Sequence, residues 1–477
     1  MRRWQLFFIG FLLNLGIRAQ CPHNFSLQFE GEFRNPIFIS ALTMVADQLG
    51  RPYLYVASNE KGLNVLNVSG SNPFSVASLD TVALSMRVMS VTQRDSLLYV
   101  VVGSTFGGFT PPTDPPGLVI VDVSDPQQPF VRDTWIRPGA GTGAAIVRLE
   151  GNIAYLGAAG EGLILLDISN PDTIQYISQF IPQIDWPHAN NNPLKVNARG
   201  MEVKNGIVYL CYDAGGFRIV NCTNPQQPRE TGSYANPVTF FPWNMARAYN
   251  NIVLKDTLAY IAVDYCGIEV LSIADTANIR LLQHWNPYNC PSGNWFTAPI
   301  HTNELHLIPE CDLLFVSTGK SELMVLDVSN PTQIDTCEWW GSIVDTTGSW
   351  GVTLTENKIY LSYTYVPYGW PLAPFYSTWS GVKQFSYTHQ CQTDSPVQQN
   401  HSLNLYPNPA HNQVRLNGLE PGKGTFEIWS LEGRMLQRLA MSNLQDAVIP
   451  LPSLPAGLYV VRVNQGNFRA STLLRVE

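Results

Sequence analysis

The chain has few charged residues and no cluster of positive charge. Asp, Glu, Lys and Arg make up 14% of its 477 residues, and the formal net charge is −8. A nucleic-acid-binding protein needs clustered Lys and Arg to neutralise phosphates, so the composition argues against that class. Beyond the first twenty residues, no run of eighteen apolar residues occurs. The sequence therefore predicts no transmembrane segment.

Motifs for catalysis or metal binding are also missing. The sequence contains no GxSxG, phosphate-loop or HExxH pattern, and its eight cysteines show no CxxC spacing. His301 and His306 flank Glu304, but strand alternation would place the two imidazoles on opposite faces. We therefore predict no catalytic residues, no metal site and no cofactor, and the sequence leaves enzymatic activity open while favouring none.

The amino terminus has the three parts of a secretory signal. Arg2 and Arg3 form a positive region, Leu6 to Leu15 an apolar stretch, and Ala19 offers a small residue for cleavage. We therefore predict a signal peptide over residues 1–19. An even number of cysteines in an exported chain favours disulfides.

A repeat of about 50 residues runs through most of the chain. Its core is an apolar segment ending in a polar turn: GLNVLNVS (62–69), GLVIVDVS (117–124), GLILLDIS (162–169), GFRIVNCT (216–223), GIEVLSIA (267–274), ELMVLDVS (322–329) and GVKQFSYT (381–388). Each core follows another β-branched run, and further strands flank the pair. Four strands at this period are typical of a β-propeller blade, whereas a β-solenoid, the alternative, has a shorter period. We expect Asp122, Asp167 and Asp327 to cap the turns.

The repeats predict seven blades. They lie near residues 36–80, 83–135, 143–180, 197–234, 245–285, 301–340 and 350–390. The seventh lacks a fourth strand, and we expect residues 25–33 to supply it and to close the ring.

The cysteine positions suggest two disulfides. Antiparallel pairing of residues 25–33 would bring Cys21 beside Cys391, so we predict a Cys21–Cys391 disulfide, although each could pair elsewhere. Cys211 and Cys222 lie on neighbouring strands of one hairpin and could also pair. The pairing of Cys266, Cys290, Cys311 and Cys337 stays open.

The repeats resemble the LVIVD-repeat family, whose motif stands verbatim at residues 118–122. The resemblance covers roughly residues 36–390 and implies a propeller, but says little about activity. Ser272 and Ser386 replace the acid of the motif in two copies.

Long connections gather on one face of such a ring: 104–116, 184–193, 236–244, 286–296 and 366–380. We call this the loop-rich face. Its aromatic and acidic residues suit recognition of a glycan or a protein. The predicted ligand-binding residues are Trp186, Trp243, Trp295, Trp370, Trp379 and Asp185. The alternative is that these aromatic residues cap the core of the ring and bind nothing.

The carboxyl-terminal residues form a separate segment. A polar linker at 392–402 precedes alternating strands over 403–477, which predict a small β-sandwich. The segment resembles the C-terminal sorting domain of the type IX (Por) secretion system of Bacteroidota. The resemblance rests on Tyr406, Pro407, Asn408 and Pro409, on the turn at Gly433, and on Gly457 and Tyr459.

This resemblance implies export by the type IX machinery, through the periplasm and the outer membrane. The tail would then be removed, and the protein released or attached to surface lipopolysaccharide. We therefore expect an all-β protein, a seven-bladed β-propeller followed by a small C-terminal β-sandwich. The expected function is a secreted or cell-surface binding or adhesion module. The alternative is an extracellular hydrolase or lyase that acts on a polysaccharide or a lactone. Ligand and oligomeric state cannot be read from the sequence.

Overall fold

A computed structural model describes most of the chain. The described residues are 25–103, 114–187, 197–238, 249–288, 290, 300–344, 346–367, 376–391, 404–417, 419, 421–430, 435–451, 453–465 and 468–477. The chain divides into two compact units, Met1–Cys391 and Gln392–Glu477. The predicted signal peptide at 1–19 and the linker at 392–402 lie outside the described residues.

The first unit is built from antiparallel strands, 28 of them within the described ranges. They are β1 (Ser26–Arg34), β2 (Met44–Ala46), β3 (Tyr53–Ala57), β4 (Leu63–Asn67), β5 (Phe74–Leu79), β6 (Val88–Arg94), β7 (Leu97–Val102), β8 (Gly117–Asp122), β9 (Phe130–Ile136), β10 (Ile146–Glu150), β11 (Ile153–Gly157), β12 (Leu163–Asn170), β13 (Thr173–Phe180), β14 (Gly200–Lys204), β15 (Ile207–Cys211), β16 (Phe217–Asn221), β17 (Arg229–Tyr234), β18 (Tyr249–Lys255), β19 (Leu258–Val263), β20 (Ile268–Ser272), β21 (Arg280–Trp285), β22 (Leu305–Ile308), β23 (Leu313–Ser317), β24 (Leu323–Asn330), β25 (Gln333–Trp340), β26 (Ser349–Leu354), β27 (Lys358–Tyr363) and β28 (Gly381–Thr388).

These strands form seven four-stranded sheets over the described residues. Six sheets use consecutive strands, from β2–β5 through to β22–β25, and the seventh has the order β1-β28-β27-β26. The first strand of each sheet contacts the first strand of the next, and β26 of the seventh sheet contacts β2 of the first. The sheets therefore close into a ring, and the predicted all-β propeller class is confirmed. No α-helix occurs among the described residues.

The ring closes through the amino-terminal strand. Strand β1 pairs antiparallel with β28, from Ser26 opposite Thr388 to Arg34 opposite Gly381. A bulge near Gly31 brings the chain against the backbone of Ser71, where an added Cβ would lie 2.1 Å from the carbonyl oxygen. Glycine is therefore needed there. Strand β1 is therefore the fourth strand of the seventh blade, as the sequence predicts for residues 25–33.

The middle strands of the blades are buried on both faces. Every residue of β8 is buried, and its side chains belong to a core shared with the neighbouring blades. This burial explains the continuous apolar run, since a sheet covered on both sides needs apolar residues at every position. The acids that follow such runs act as expected, because the Oδ1 atoms of Asp122, Asp167 and Asp327 accept hydrogen bonds from backbone N–H groups two residues on, at 2.8, 2.8 and 2.9 Å.

The disulfides differ from the prediction. Cys391 is bonded to Cys311, which lies at the turn between β22 and β23 of the neighbouring blade, with the two Cα atoms 4.6 Å apart. The predicted Cys21–Cys391 pair is therefore wrong, and Cys21 lies outside the described residues. Cys266 pairs with Cys290, and Cys337 is also disulfide-bonded.

The predicted Cys211–Cys222 disulfide is also wrong. Both thiols are free and buried. The register explains why, since Cys211 lies opposite Phe217, whereas Cys222 follows Asn221, which lies opposite Ile207. The two cysteines therefore stand at opposite ends of their hairpin.

The second unit has two sheets around its own core. Its strands are β29 (Asn404–Tyr406), β30 (Gln413–Asn417), β31 (Gly424–Trp429), β32 (Met435–Met441), β33 (Val448–Pro450), β34 (Gly457–Gln465) and β35 (Phe468–Val476). The sheet orders are β29-β30-β33 and β32-β31-β34-β35. Phe426, Ile428, Val461 and Leu474 are among the residues of the shared core, as in a β-sandwich.

Candidate functional site

The turns between the second and third strands surround one end of the central channel. Asn59, Ala159, Asp213 and Asp264 occupy corresponding places in four blades, each with a positive φ. The carbonyl of each accepts a hydrogen bond from a backbone N–H at the start of the next blade, at 2.6 to 3.4 Å. These turns thereby join neighbouring blades. We call this end the channel entrance, and it lies on the loop-rich face.

Two carboxylates from adjacent blades lie at the channel entrance. An Oδ2 atom of Asp213 accepts hydrogen bonds from Asn197 at 3.2 Å and from the Arg199 guanidinium at 3.4 Å. The Oδ1 atom of Asp264 lies 2.7 Å from Nε2 of His301, whose ring packs edge-on against Tyr265.

The electrostatics of this cluster are coupled. Burial raises the pKa of Asp213, the nearby Arg199 lowers it, and the charge of Asp264 raises it again. The charge of Asp264 therefore acts on Asp213 across the boundary between two blades, and both side chains are buried. The Arg199 guanidinium lies beside Asp213 and the His301 imidazole beside Asp264. Such a group can accept hydrogen bonds from a ligand or take part in proton transfer.

Below the entrance the channel narrows to a small cavity of about 40 Å³. Its lining comes from the first strands of the blades and from the one or two residues that precede them: Thr43, Met89, Ala145, Ile146, Arg199, Asn250, Asn251, Asn303, Glu304 and Trp350. This volume suits about three water molecules, at roughly 10–15 Å³ each, rather than a sugar. Burial raises the pKa of Glu304 to about 7. One of its oxygens accepts a hydrogen bond from the Val352 N–H at 3.2 Å.

The described members of the predicted aromatic set do not lie together. Trp186 is half-buried and covers the Arg218 guanidinium, whose carbon lies 4.4 Å from the ring centroid. Trp379 packs edge-on against Tyr363 in the seventh blade, with the Lys383 ammonium 5.4 Å away. Each tryptophan covers a cation of the scaffold, which fits the alternative in which these residues cap the ring.

Asp185 is exposed beside Trp186. Trp243, Trp295 and Trp370 lie outside the described residues. The entrance group of Asp213, Asp264 and Arg199 was not among the predicted site residues. The sequence does hold a signal for it, since VYLCYD (208–213) and AYIAVD (259–264) end in Asp where the corresponding runs end in other residues.

Metal-ligating atoms come together once in the described part of the chain, at Cys311, His389 and Cys391. The two sulfurs are joined in a disulfide, so they are not available as thiolate ligands.

The sorting motif residues hold the ends of the second unit together. The Asn408 side chain donates to the Leu473 carbonyl and accepts from the Arg475 N–H, both at 2.8 Å. The Tyr459 hydroxyl donates to the Pro455 carbonyl at 2.7 Å, and Gly457 begins β34. Tyr406 is exposed, 70% of its surface being accessible. Gly433 lies outside the described residues.

Comparison with family models agrees with this architecture. Residues 404–476 match the secretion system C-terminal sorting domain, and residues 52–81, 114–133, 142–177 and 312–336 match the LVIVD repeat. The chain therefore carries LVIVD repeats and a sorting domain. No curated protein matches its sequence.

Solved structures share the propeller fold. The RRP9 WD40 repeats are 8% identical and give a TM-score of 0.52, covering 76% of this chain and 99% of that one. A chain of the Mitotic Checkpoint Complex is 12% identical with a TM-score of 0.50, covering 80% of this chain and 99% of its own. At such identities the likeness concerns the fold alone.

The sorting domain indicates export to the cell surface or the extracellular space, and it implies an interaction with the type IX secretion machinery. In the described part of the chain, no helix is long and apolar enough to span a bilayer.

Proposed function

We propose that the exported protein is a binding or adhesion module that recognises a glycan or a protein through its loop-rich face. The observation that supports this proposal is the charged group at the channel entrance, where the Arg199 guanidinium lies 3.4 Å from Asp213 and the charge of Asp264, in the next blade, raises the pKa of Asp213. We expect the long connections to gather around the same face, and loops on a rigid scaffold are common places for binding residues.

The chemistry of this face fits hydroxyl-rich ligands. Carboxylates and amides accept and donate hydrogen bonds, and aromatic side chains supply apolar surface with little loss of conformational entropy. We further propose that the tail is removed after export and that the propeller is released or becomes attached to surface lipopolysaccharide.

A binding screen with the full chain tests the proposal. A glycan array and a panel of extracellular matrix proteins would be probed with the wild type, Trp370→Ala, Trp295→Ala and Asp264→Asn. Phe130→Ala is the matched control, since Phe130 is an exposed aromatic residue that follows a turn on the opposite face.

Saturable binding that Phe130→Ala retains and the loop-rich-face variants lose by about ten-fold would support the proposal. Binding that all variants retain, or no binding to any probe, would argue against it.

A second candidate function is a hydrolase or lyase acting on an extracellular polysaccharide or lactone. The specific observation in its favour is that two buried acids, Asp213 and Asp264, occupy corresponding turns of adjacent blades, with His301 beside Asp264. Paired carboxylates can divide the roles of general acid and general base. Turnover of a substrate panel that Asp213→Asn and Asp264→Asn both abolish would support this function. Binding of a ligand without turnover of any substrate would argue against the enzyme and would support the binding module.

A further inference from the structure

The connection between β1 and β2 carries two large apolar side chains into solvent. Ile37 and Phe38 are each 65% exposed. They form the corner of a tight turn, which the Ile39 N–H closes by donating to the Pro36 carbonyl at 3.4 Å. Because most of their surface stays in water, these two side chains add little to the hydrophobic core of the ring.

The same turn carries two local costs. Phe38 has a φ of +70°, in the left-handed region that bulky side chains rarely adopt and where glycine or asparagine is usual. The amide of Asn35 is buried, but neither its Nδ2 nor its Oδ1 has a hydrogen-bond partner among the described residues. Backbone strain and unsatisfied buried groups persist mainly where function requires them, so these costs point to a role in binding.

The turn is held on an ordered base. The Asn35 N–H donates to the Ser380 carbonyl at 3.0 Å, and the Tyr365 N–H donates to the Ser40 hydroxyl at 3.1 Å. The Tyr365 ring packs edge-on against the Phe38 ring, with the centroids 5.3 Å apart. The turn therefore needs little further ordering when a partner binds, which lowers the entropy cost of association.

The turn lies on the loop-rich face, next to the channel entrance. The Ser40 N–H donates to a carboxylate oxygen of Glu60 at 3.1 Å, and Glu60 follows Asn59, whose turn borders the entrance. Four further blades each carry an apolar residue, more than half exposed, shortly after the outer strand: Val82, Ile181, Val238 and Val344. Exposed apolar surface is therefore distributed over several blades of this face.

This shape and extent favour a protein as the partner. Ile37 and Phe38 stand at the corner of a turn, so their surface is convex and a partner needs a concave pocket to receive it. Small ligands such as sugars instead occupy concave sites on their receptors. A stable protein interface covers about 800 Å² on each partner, which is enough to reach several blades.

Charge argues against two other occupants. Residues 1–403 contain 22 Lys and Arg against 32 Asp and Glu, a net charge of −10. Anionic lipids attract surfaces rich in basic residues, so a lipid surface is a poor match for this unit. A second copy of the chain carries the same negative charge and would be repelled.

We propose that Ile37 and Phe38 are the anchor by which the loop-rich face docks into an apolar pocket of a protein partner. This inference rests on the proposed binding function, and it narrows the ligand from a glycan or a protein to a protein. Such anchor residues account for a large share of the binding free energy, while the contacts around them exclude water.

Binding measurements with the full chain test this inference. Wild type, Phe38→Gly and Ile37→Ser would be titrated against the panel of extracellular matrix proteins, the glycan array and lipopolysaccharide vesicles. We expect saturable binding to a matrix protein, with the Kd raised at least about ten-fold in both variants. Phe38→Leu keeps an apolar side chain at the corner and should raise the Kd by less than about three-fold.

Misfolding is measured separately from binding. Glycine relieves the strain at Phe38 but makes the unfolded chain more flexible, so the Tm of Phe38→Gly should lie within about 2 °C of the wild type. A ring that served only the fold would lower the Tm when removed. Phe130→Ala is the matched control, because Phe130 is an exposed aromatic residue on the opposite face, and it should leave both the Kd and the Tm unchanged.

Two results would overturn the inference and leave the proposed function standing. These are protein binding that Phe38→Gly retains at full affinity, and binding of the wild type to glycans alone. Binding to vesicles alone, or to no probe, would count against both the inference and the proposed function. A fall of more than about 5 °C in the Tm of Phe38→Gly would assign the ring to the fold and would also overturn the inference.

Discussion

The propeller and the sorting domain bury their strands in different ways. In the propeller strand β8 all six residues are buried, whereas β32 of the sorting domain alternates between exposed and half-buried positions. A blade is covered on both sides by its neighbours in the ring, but each sheet of a sandwich has only one inner face. The number of covered faces therefore decides whether a strand reads as a continuous apolar run or as an alternation.

The same difference applies to sheet edges. The last blade lacks its fourth strand until β1 pairs with β28, and the chain continues from β1 into the first blade. One strand therefore joins the first and last blades. In the sandwich the terminal segments also meet, since the Asn408 side chain bonds to the backbone of Leu473 and Arg475, but its two sheets share a compact core within about 75 residues. Loss of a single strand should therefore destabilise a larger part of the propeller than of the sorting domain.

Deleting residues 26–34 from the full chain should have the largest effect. The seventh blade loses its outer strand and the ring loses its joint, so we expect destabilisation of the propeller by more than about 5 kcal/mol, a large part of a typical folding free energy. Hydrogen exchange should show lost protection throughout β26–β28, with the sorting domain unchanged. Deleting β35 is the matched control and should affect the sorting domain alone. An intact propeller after the first deletion would contradict this account of closure.

Ile120→Ala tests the double burial of β8. Ile120 is fully buried, so its truncation should lower the free energy of unfolding by roughly 2–5 kcal/mol. Leu458→Ala, at an exposed position of the sorting domain, should change it by less than about 0.5 kcal/mol. Chemical denaturation of both variants measures the contrast, and equal effects would break the comparison.

Glu304→Gln should change how the stability of the propeller depends on pH. Burial raises the pKa of Glu304 from an ordinary 4.5 to about 7. Between these values the folded chain keeps a proton that the unfolded chain releases, so this group makes stability fall as pH rises. The variant should match the wild type at low pH and exceed it by about 1–3 kcal/mol at pH 8.

Urea unfolding at several pH values measures this difference. Asp185→Asn, at an exposed acid on the loop-rich face, is the control for the removal of one carboxylate. If Glu304→Gln changed the free energy of unfolding by the same amount at every pH, the raised pKa of Glu304 would be contradicted.

Asp167→Ala should have the smallest effect of the four. The substitution removes the acceptor for the Ser169 N–H, at a cost of about 1 kcal/mol. Asp167→Asn should be nearly neutral, since Asn67 and Asn221 accept the corresponding bonds in other blades. Thermal unfolding of the two variants distinguishes the hydrogen bond from the charge.

The blades can be predicted from the sequence because each blade buries its middle strands on both faces and therefore repeats the same apolar pattern. Continuous apolar runs such as residues 118–121 and the following Asx turns mark strands buried on both faces, and the missing fourth strand of the last repeat directs attention to residues 25–33. These features depend on neighbours along the chain and on a period that can be counted.

Contacts between blades are harder to predict. The Cys311–Cys391 disulfide joins two blades whose ends meet only in the folded ring, and the sequence assigns Cys391 to the wrong partner. The effect of Asp264 on Asp213 has the same origin, since each acid alone resembles an ordinary turn residue. The cations under Trp186 and Trp379 likewise come from other strands, so aromatic content alone cannot distinguish a ligand platform from a scaffold contact.

The joint between β1 and β28 also constrains when the propeller can fold. The Ser26 and Thr388 hydroxyls that meet there are 362 residues apart in sequence. A chain synthesised from its amino terminus must hold β1 unpaired until nearly the whole propeller has emerged, so ring closure is a late, non-local event in the life of each molecule. Before the ring closes, β1 of an exported chain must be kept from pairing with edge strands of other sheets. The bulge at Gly31 and the charges of Glu30, Glu32 and Arg34 reduce its tendency to form such pairs.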